Sequence, residues 1–129
     1  MKVLLDTLLL LWAASDDSNL SDEARAIIED PTVTPYFSVA SMWEIVIKRS
    51  LGRTDFQVDA SVLRRSLLDA GYEELSIEAH HAFEVAGLPA HHRDPFDRLL
   101  IAQASVEGIA LLTHDKQIRK YDLAPIRYV

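Results

Sequence analysis

Residues 92–104 read HRDPFDRLLIAQA. Two carboxylates, Asp94 and Asp97, stand directly ahead of a long apolar helix pattern. Asp94–Pro95 is a helix-start signal. Aspartate offers a side-chain acceptor to the orphan amides of the first turn, and proline's fixed φ suits the first helical position. Asp97 then falls at the third helical position, from which an acid can reach back to the N-cap amide. This stretch alone leaves two readings open: both aspartates cap a helix, or Asp97 points into a cleft shared with other acids. The helix pattern runs to Glu107 and is closed by Gly108.

Beyond it, Ile109–Leu112 reads as an apolar strand ending in Thr113–His114–Asp115. Asp115 can cap a short helix over Lys116–Tyr121, and Ile126–Val129 is a candidate last strand. The start of the chain has the same form. Lys2–Leu5, KVLL, is short and apolar throughout, as in a strand buried in a parallel sheet. Asp6 follows at its carboxyl end, where open α/β sheets bind their ligands. Asp6 can equally cap the next helix, over Leu8–Ala13. An acid thus follows a buried strand twice, at Asp6 and at Asp115.

The middle of the chain supplies walls and one anomaly. Ser21 opens an amphipathic helix with Asp22 and Glu23 in its first turn, and Asp30–Pro31 stops it. Tyr36–Val39 reads as a strand and Ser41–Arg49 as a helix. Glu44 lies in that helix among Met42, Trp43, Ile45, Val46 and Ile47. Burying an unpaired carboxylate is costly. Glu44 therefore pairs with Lys48 one turn on, lies on an exposed edge, or faces a cation-filled pocket. Arg53–Val58 is a loop, with Arg49 and Arg53 forming a small basic patch. Asp59 caps a helix to about Ala70, closed by Gly71. Glu73–Ser76 is a marginal strand, and Ser76 is expected to cap a helix through Ala86. His80–His81 and His91–His92 are adjacent pairs whose members point about 100° apart on a helix, so they read as surface or loop residues rather than a metal edge.

The totals narrow the options. The 129 residues carry a net charge of −7, 49% apolar residues and no cysteine. Residues 1–129 are expected to form one domain, with no linker, repeat or low-complexity segment. Lack of cysteine excludes disulfides and thiolate metal sites and fits a reducing compartment. The longest apolar run, Leu8–Ala14, falls far short of the ~20 residues that cross a bilayer. Asp6 also interrupts any secretory pattern. The expected location is the cytoplasm, without membrane partners. A sequence-independent duplex binder is normally basic, so phosphate chemistry in this acidic chain would need bound cations or a small basic rim.

Four carboxylates stand out: Asp6, Glu44, Asp97 and Asp115. In an α/β sandwich with right-handed crossovers, strand ends and helix starts share one sheet edge, so the four can converge. Clustered ionised acids repel and need protons or cations. Hard divalent ions, Mg²⁺ or Mn²⁺, are the natural partners of oxygen ligands. Such sites do phosphoryl chemistry, with Lys48, Arg98, Lys116 and the Arg49/Arg53 patch available for flanking phosphates.

The ordered set Asp6–Thr7, Ser38 with Trp43–Glu44, Asp94–Pro95–Phe96–Asp97–Arg98 and Leu111–Leu112–Thr113–His114–Asp115 resembles the PIN domain, most of all VapC-type toxins of toxin–antitoxin pairs. The resemblance spans essentially the whole chain. It implies a three-layer α/β/α sandwich around a mostly parallel sheet of four to five strands. It implies a Mg²⁺- or Mn²⁺-dependent endoribonuclease, homodimers, and inhibition by a small antitoxin. Asp6, Glu44, Asp97 and Asp115 match the family's acidic metal-site positions, Asp94 an extra acid of the subgroup, and Thr113 a supporting hydroxyl. By this reading Asp6, Glu44 and Asp97 hold one ion, and Asp115 completes its shell or holds a second. Leu8 is a departure, since close relatives often carry His there. Two other readings compete. One is a catalytically silent binding module whose acids serve as caps and ion pairs. The other is a phosphatase with Asp6 as nucleophile, which would want an acid where Leu8 stands.

Overall fold

The computed structural model describes residues 1–122 and 125–129. Five strands form one sheet: β1 (Lys2–Leu5), β2 (Thr34–Ser38), β3 (Glu73–Leu75), β4 (Ala110–Thr113) and β5 (Ile126–Tyr128). Their order is β3-β2-β1-β4-β5, and every pairing is parallel. The chain walks outward from β1 through β2 to β3, then crosses back to place β4 on the other flank of β1. The sheet order therefore reverses between β1 and β4, which opens a crevice at their carboxyl ends. Asp6 and the Thr113–Asp115 turn stand there.

Among the described residues six α-helices connect the strands: α1 (Thr7–Ser15), α2 (Asp22–Glu29), α3 (Val39–Ser50), α4 (Ala60–Asp69), α5 (Ala79–Val85) and α6 (Pro95–Glu107). Alternation along the strands sorts side chains to two faces. Val3, Leu5, Phe37 and Leu112 pack with Leu9, Leu10, Ala24, Ile45 and Leu67 in one core. Leu4 and Leu111 face the other way and pack with Leu100, Ile101, Ala104 and Ile118. A sheet with a helical core on each face is a three-layer α/β/α sandwich.

Local signals set the helix ends. Asp6, Ser21, Ser38, Asp59 and Asp94 each cap a helix through the side chain. Gly108, at φ 67°, closes α6 in the left-handed conformation. Several boundaries differ from the sequence reading. Strand β2 starts two residues earlier than expected and includes Pro35, because pairing with β3 begins only at Tyr36, beyond the residue that lacks an N–H. Helix α5 is capped at Glu78 rather than Ser76. The 3₁₀ turns Thr54–Phe56 and Ile118–Lys120 replace a plain loop and a short α-helix. A buried polar link ties the layers. The Ser38 hydroxyl donates to Gln103 Oε1 at 2.6 Å, and Gln103 Nε2 donates to the Ser76 carbonyl at 3.2 Å. Among the described residues no helix is long and apolar enough to cross a membrane.

Candidate functional site

The crevice at the β1/β4 strand ends is a cleft of about 450 Å³ lined by Asp6, Glu44, Asp94, Asp97 and Asp115 together with Thr7, Lys48 and His92. All four acids singled out in the sequence, and Asp94, meet in it. Each arrives by a different local device, and those devices decide the alternatives left open above.

Asp6 caps α1 and faces the cleft at once. Its Oδ1 accepts the Leu9 amide at 2.9 Å, and its Oδ2 accepts the Thr113 hydroxyl at 2.5 Å. The Thr113 oxygen in turn accepts the Asp115 amide at 3.0 Å, so one hydroxyl ties together the acids of both strand ends. Asp115 Oδ1 accepts the Gln117 amide at 2.7 Å. Asp94 carries the cap of α6, accepting the Phe96 and Asp97 amides at 2.9 and 3.0 Å. Asp97 does not reach back to complete a capping box. The Asp94 amide points to His92 Nδ1 at 3.4 Å, while His92 Nε2 lies 2.7 Å from Asp97 Oδ2 and 3.5 Å from Asp115 Oδ2. Asp97 is thus a cleft residue, not a cap.

Glu44 is 3% exposed, so it does not lie on an exposed edge. It pairs with Lys48 on the next turn, and it lines the cleft. The Thr7 hydroxyl donates to its Oε1 at 2.6 Å and lies 2.9 Å from the Ser41 hydroxyl. Lys48 also lies 3.4 Å from Asp94 Oδ2. Burial penalises the Lys48 charge, but its hydrogen bond and attraction to Glu44 and Asp94 prevail and raise its pKa.

The electrostatics carry the mark of crowded negative charge. Burial pushes Asp6 up to about 6, against the hydrogen bonds from Thr113 and Leu9 and with repulsion from Asp115 and Glu44. Burial, then repulsion from Asp94, Glu44, Asp6 and Asp115, pushes Asp97 up to about 8. A divalent cation relieves this crowding. The carboxylate oxygens suit a hard ion: one oxygen each of Asp97 and Asp115 lies within 4.8 Å of the other and of a His92 ring nitrogen. His92, with Nδ1 toward the Asp94 amide, donates to Asp97 from Nε2 rather than offering a lone pair. The residues present fit such a group.

Other expectations are corrected. Arg98 does not face the cleft. Its guanidinium donates to the carbonyls of Pro89, His92, Val85 and Leu88 and to the Tyr121 hydroxyl, so it clamps the 85–92 loop onto α6. Lys116 is exposed and outside the cleft lining. Arg53 lines the cleft but forks onto Asp55, and Arg49 donates to the Val58 carbonyl, so the expected basic patch is largely spent. His81 is not a surface residue. It is fully buried, with Nδ1 accepting the Glu78 amide at 3.0 Å and Nε2 3.0 Å from Glu107. An accepting Nδ1 puts the proton on Nε2, which leaves no free lone pair toward the His80–His81–Glu107 cluster. The sequence reading missed His92, whose one signal was its place two residues ahead of the Asp94 cap. Leu8 lines the cleft and presents no carboxylate there. Trp12 and His114 meet edge to face at 6.0 Å on the cleft wall, and His114 stacks on Tyr128.

The fold is that of solved toxin–antitoxin proteins. VapBC2 from Rickettsia felis, bound to a DNA fragment from its promoter, matches at TM-score 0.73 and 18% identity, covering 100% of this chain and 99% of that one. DNA-bound VapBC from Salmonella typhimurium matches at TM-score 0.67 and 15% identity, over 99% and 98% of the two chains. VapBC-1 from nontypeable Haemophilus influenzae matches at TM-score 0.66 and 17% identity, also over 99% and 98%. Comparison with curated proteins finds no match. The family model described as "PIN domain" matches residues 3–123, nearly the whole sequence, and the chain therefore belongs to the PIN-domain family.

Proposed function

We propose that this protein is a divalent-cation-dependent endoribonuclease, the toxin of a VapC-type toxin–antitoxin pair. The observation that carries the reading is the meeting of Asp6, Glu44, Asp97 and Asp115 in one cleft, with Asp6 and Asp97 both pushed above the ordinary carboxylate range. Asp6, Asp97 and Asp115 would hold Mg²⁺ or Mn²⁺, and Glu44, paired with Lys48, would stand beside the ion. When bound, such an ion would neutralise the cluster, polarise a phosphodiester and lower the pKa of the attacking water.

The chain's own groups do the rest. Thr113 fixes Asp6 and Asp115 relative to each other, and Asp94 fixes the start of α6 on which Asp97 stands. Thr7 and Lys48 hold the two oxygens of Glu44. Lys48 brings a fixed positive charge to the cleft, while Trp12 and His114 offer ring faces on which unpaired bases can stack. That rim favours a single-stranded or looped RNA over a rigid duplex. A small antitoxin as protein partner is supported by the solved VapBC neighbours, and a homodimer in the cytoplasm, each copy a single domain over residues 1–129, completes the proposal.

An RNA cleavage assay tests it. Purified protein with Mg²⁺ or Mn²⁺ is expected to cut RNA, EDTA to stop cutting, and Asp6→Ala and Asp97→Ala to be inert while still folded. A variant that cuts at the wild-type rate would refute the assignment.

A further inference from the structure

The cleft already contains a cation of its own. Glu44 and Asp94, like Asp6 and Asp115, each have one oxygen committed to holding the fold. Glu44 Oε1 accepts the Thr7 hydroxyl, and Asp94 Oδ1 accepts the first two amides available in α6. The remaining oxygens, Glu44 Oε2 and Asp94 Oδ2, both turn to Lys48 Nζ. The ammonium is further held against the face of Phe56, 4.8 Å from the ring centroid, with Phe96 5.9 Å away. With only 17% of its side chain exposed, Lys48 is seated, not waving in solvent. Carboxylate on two sides and aromatic faces on the others form a compact ammonium site. Among the described residues no lysine or arginine pairs with Asp97 or Asp115; His92 stands beside them.

Phosphoryl-transfer sites with two metals keep them ~3.5–4 Å apart, bridged by shared carboxylates. A fixed ammonium standing among those carboxylates excludes a second divalent ion twice over. It occupies the free oxygens, and it repels the incoming charge. We propose that Lys48 takes the place of a second metal, so that the site loads a single divalent cation beside Asp6, Asp97 and Asp115. This rests on the cation-binding reading above and goes beyond it by fixing the stoichiometry and naming the residue that sets it. It also assigns Lys48 a positioning role: it holds Glu44 and Asp94 in register whether or not substrate is present.

Mn²⁺ titration followed by calorimetry and by electron paramagnetic resonance tests the proposal without any activity readout. Wild type is expected to bind a single Mn²⁺, and Lys48→Arg, which keeps the charge, also a single one. Lys48→Gln is expected to bind a second Mn²⁺, visible as added stoichiometry and as spin–spin broadening between neighbouring ions. Circular dichroism checks that Lys48→Gln is folded; should it not fold, the wild-type count still decides. Two ions on the wild type would overturn the proposal while leaving cation binding intact. A folded Lys48→Gln that still takes one ion would overturn it as well. No Mn²⁺ on any of the three proteins would overturn the proposal together with the reading beneath it.

Discussion

Replacing Asp97 by Asn separates the cost of its charge from the use of its oxygen. Asp97 is held at about 8 against an ordinary 3.8, chiefly by burial and then by repulsion from Asp94, Glu44, Asp6 and Asp115. The folded protein therefore binds this proton more tightly than the unfolded chain does. Cation-free stability must fall as pH rises from the ordinary carboxylate value, and the loss is complete above about 8. At 1.36 kcal/mol per pH unit, the whole span has a ceiling of about 6 kcal/mol. Water entering the open cleft and relaxation of Lys48 and His92 reduce this to ~2–3 kcal/mol. Asparagine keeps the shape and an acceptor for His92, which lies 2.7 Å from Asp97 Oδ2, but carries no charge. Thermal unfolding in EDTA is the assay. The gap between Asp97→Asn and wild type is expected to be small near pH 4.5 and to widen to ~2–3 kcal/mol in the variant's favour at pH 9, roughly 10 °C in Tm for a domain of this size. Saturating Mn²⁺ should then stabilise wild type and leave the variant unmoved. A gap that stays constant across pH, or a variant less stable at pH 9, would refute the view that Asp97 is strained by uncompensated charge.

Three other substitutions probe the supports of the site. Arg98→Ala should cost ~2–4 kcal/mol in chemical denaturation, because it strips a guanidinium from several loop carbonyls; a loss below the ordinary surface range would show that the clamp is dispensable. Thr113→Val should cost ~1–2 kcal/mol and weaken Mn²⁺ binding near pH 6, because the hydroxyl lowers the Asp6 pKa and its loss leaves that carboxylate more protonated; calorimetry at two pH values checks this, with the deficit shrinking at the higher one. His81→Leu should cost ~2–3 kcal/mol by leaving the Glu78 amide without its acceptor, with no change in Mn²⁺ affinity.

The parts of this fold legible in the sequence are those set by neighbours along the chain. Asp6, Ser21, Asp59 and Asp94 cap helices because an acceptor ahead of an apolar run meets amides two or three residues on. Gly108 ends α6 because glycine adopts left-handed backbone without steric cost. The strand-end acids Asp6 and Asp115 were visible for the same reason, and parallel topology then had to bring them to one edge. What could not be read was direction in space. Nothing in the local pattern says that Arg98 turns away from the acids toward the 85–92 loop, since that depends on where the loop's carbonyls come to rest. His92 is held at the cleft in part by the Tyr121 hydroxyl, which accepts its backbone amide from a distant segment. His81 is buried by docking of α5 against Glu107 at the end of α6, a contact with no sequence signal. Glu44 shows the limit of either-or reasoning: its pairing with Lys48 does not take it out of the cleft.

The most direct measurement is anomalous diffraction from a crystal equilibrated with Mn²⁺. Carboxylates delivered by the end of β1, the start of α6 and the turn after β4 are expected to share one ion, seen as a single anomalous peak in contact with Asp6, Asp97 and Asp115. An empty cleft at saturating Mn²⁺, or a peak only beside His80, His81 and Glu107, would contradict it.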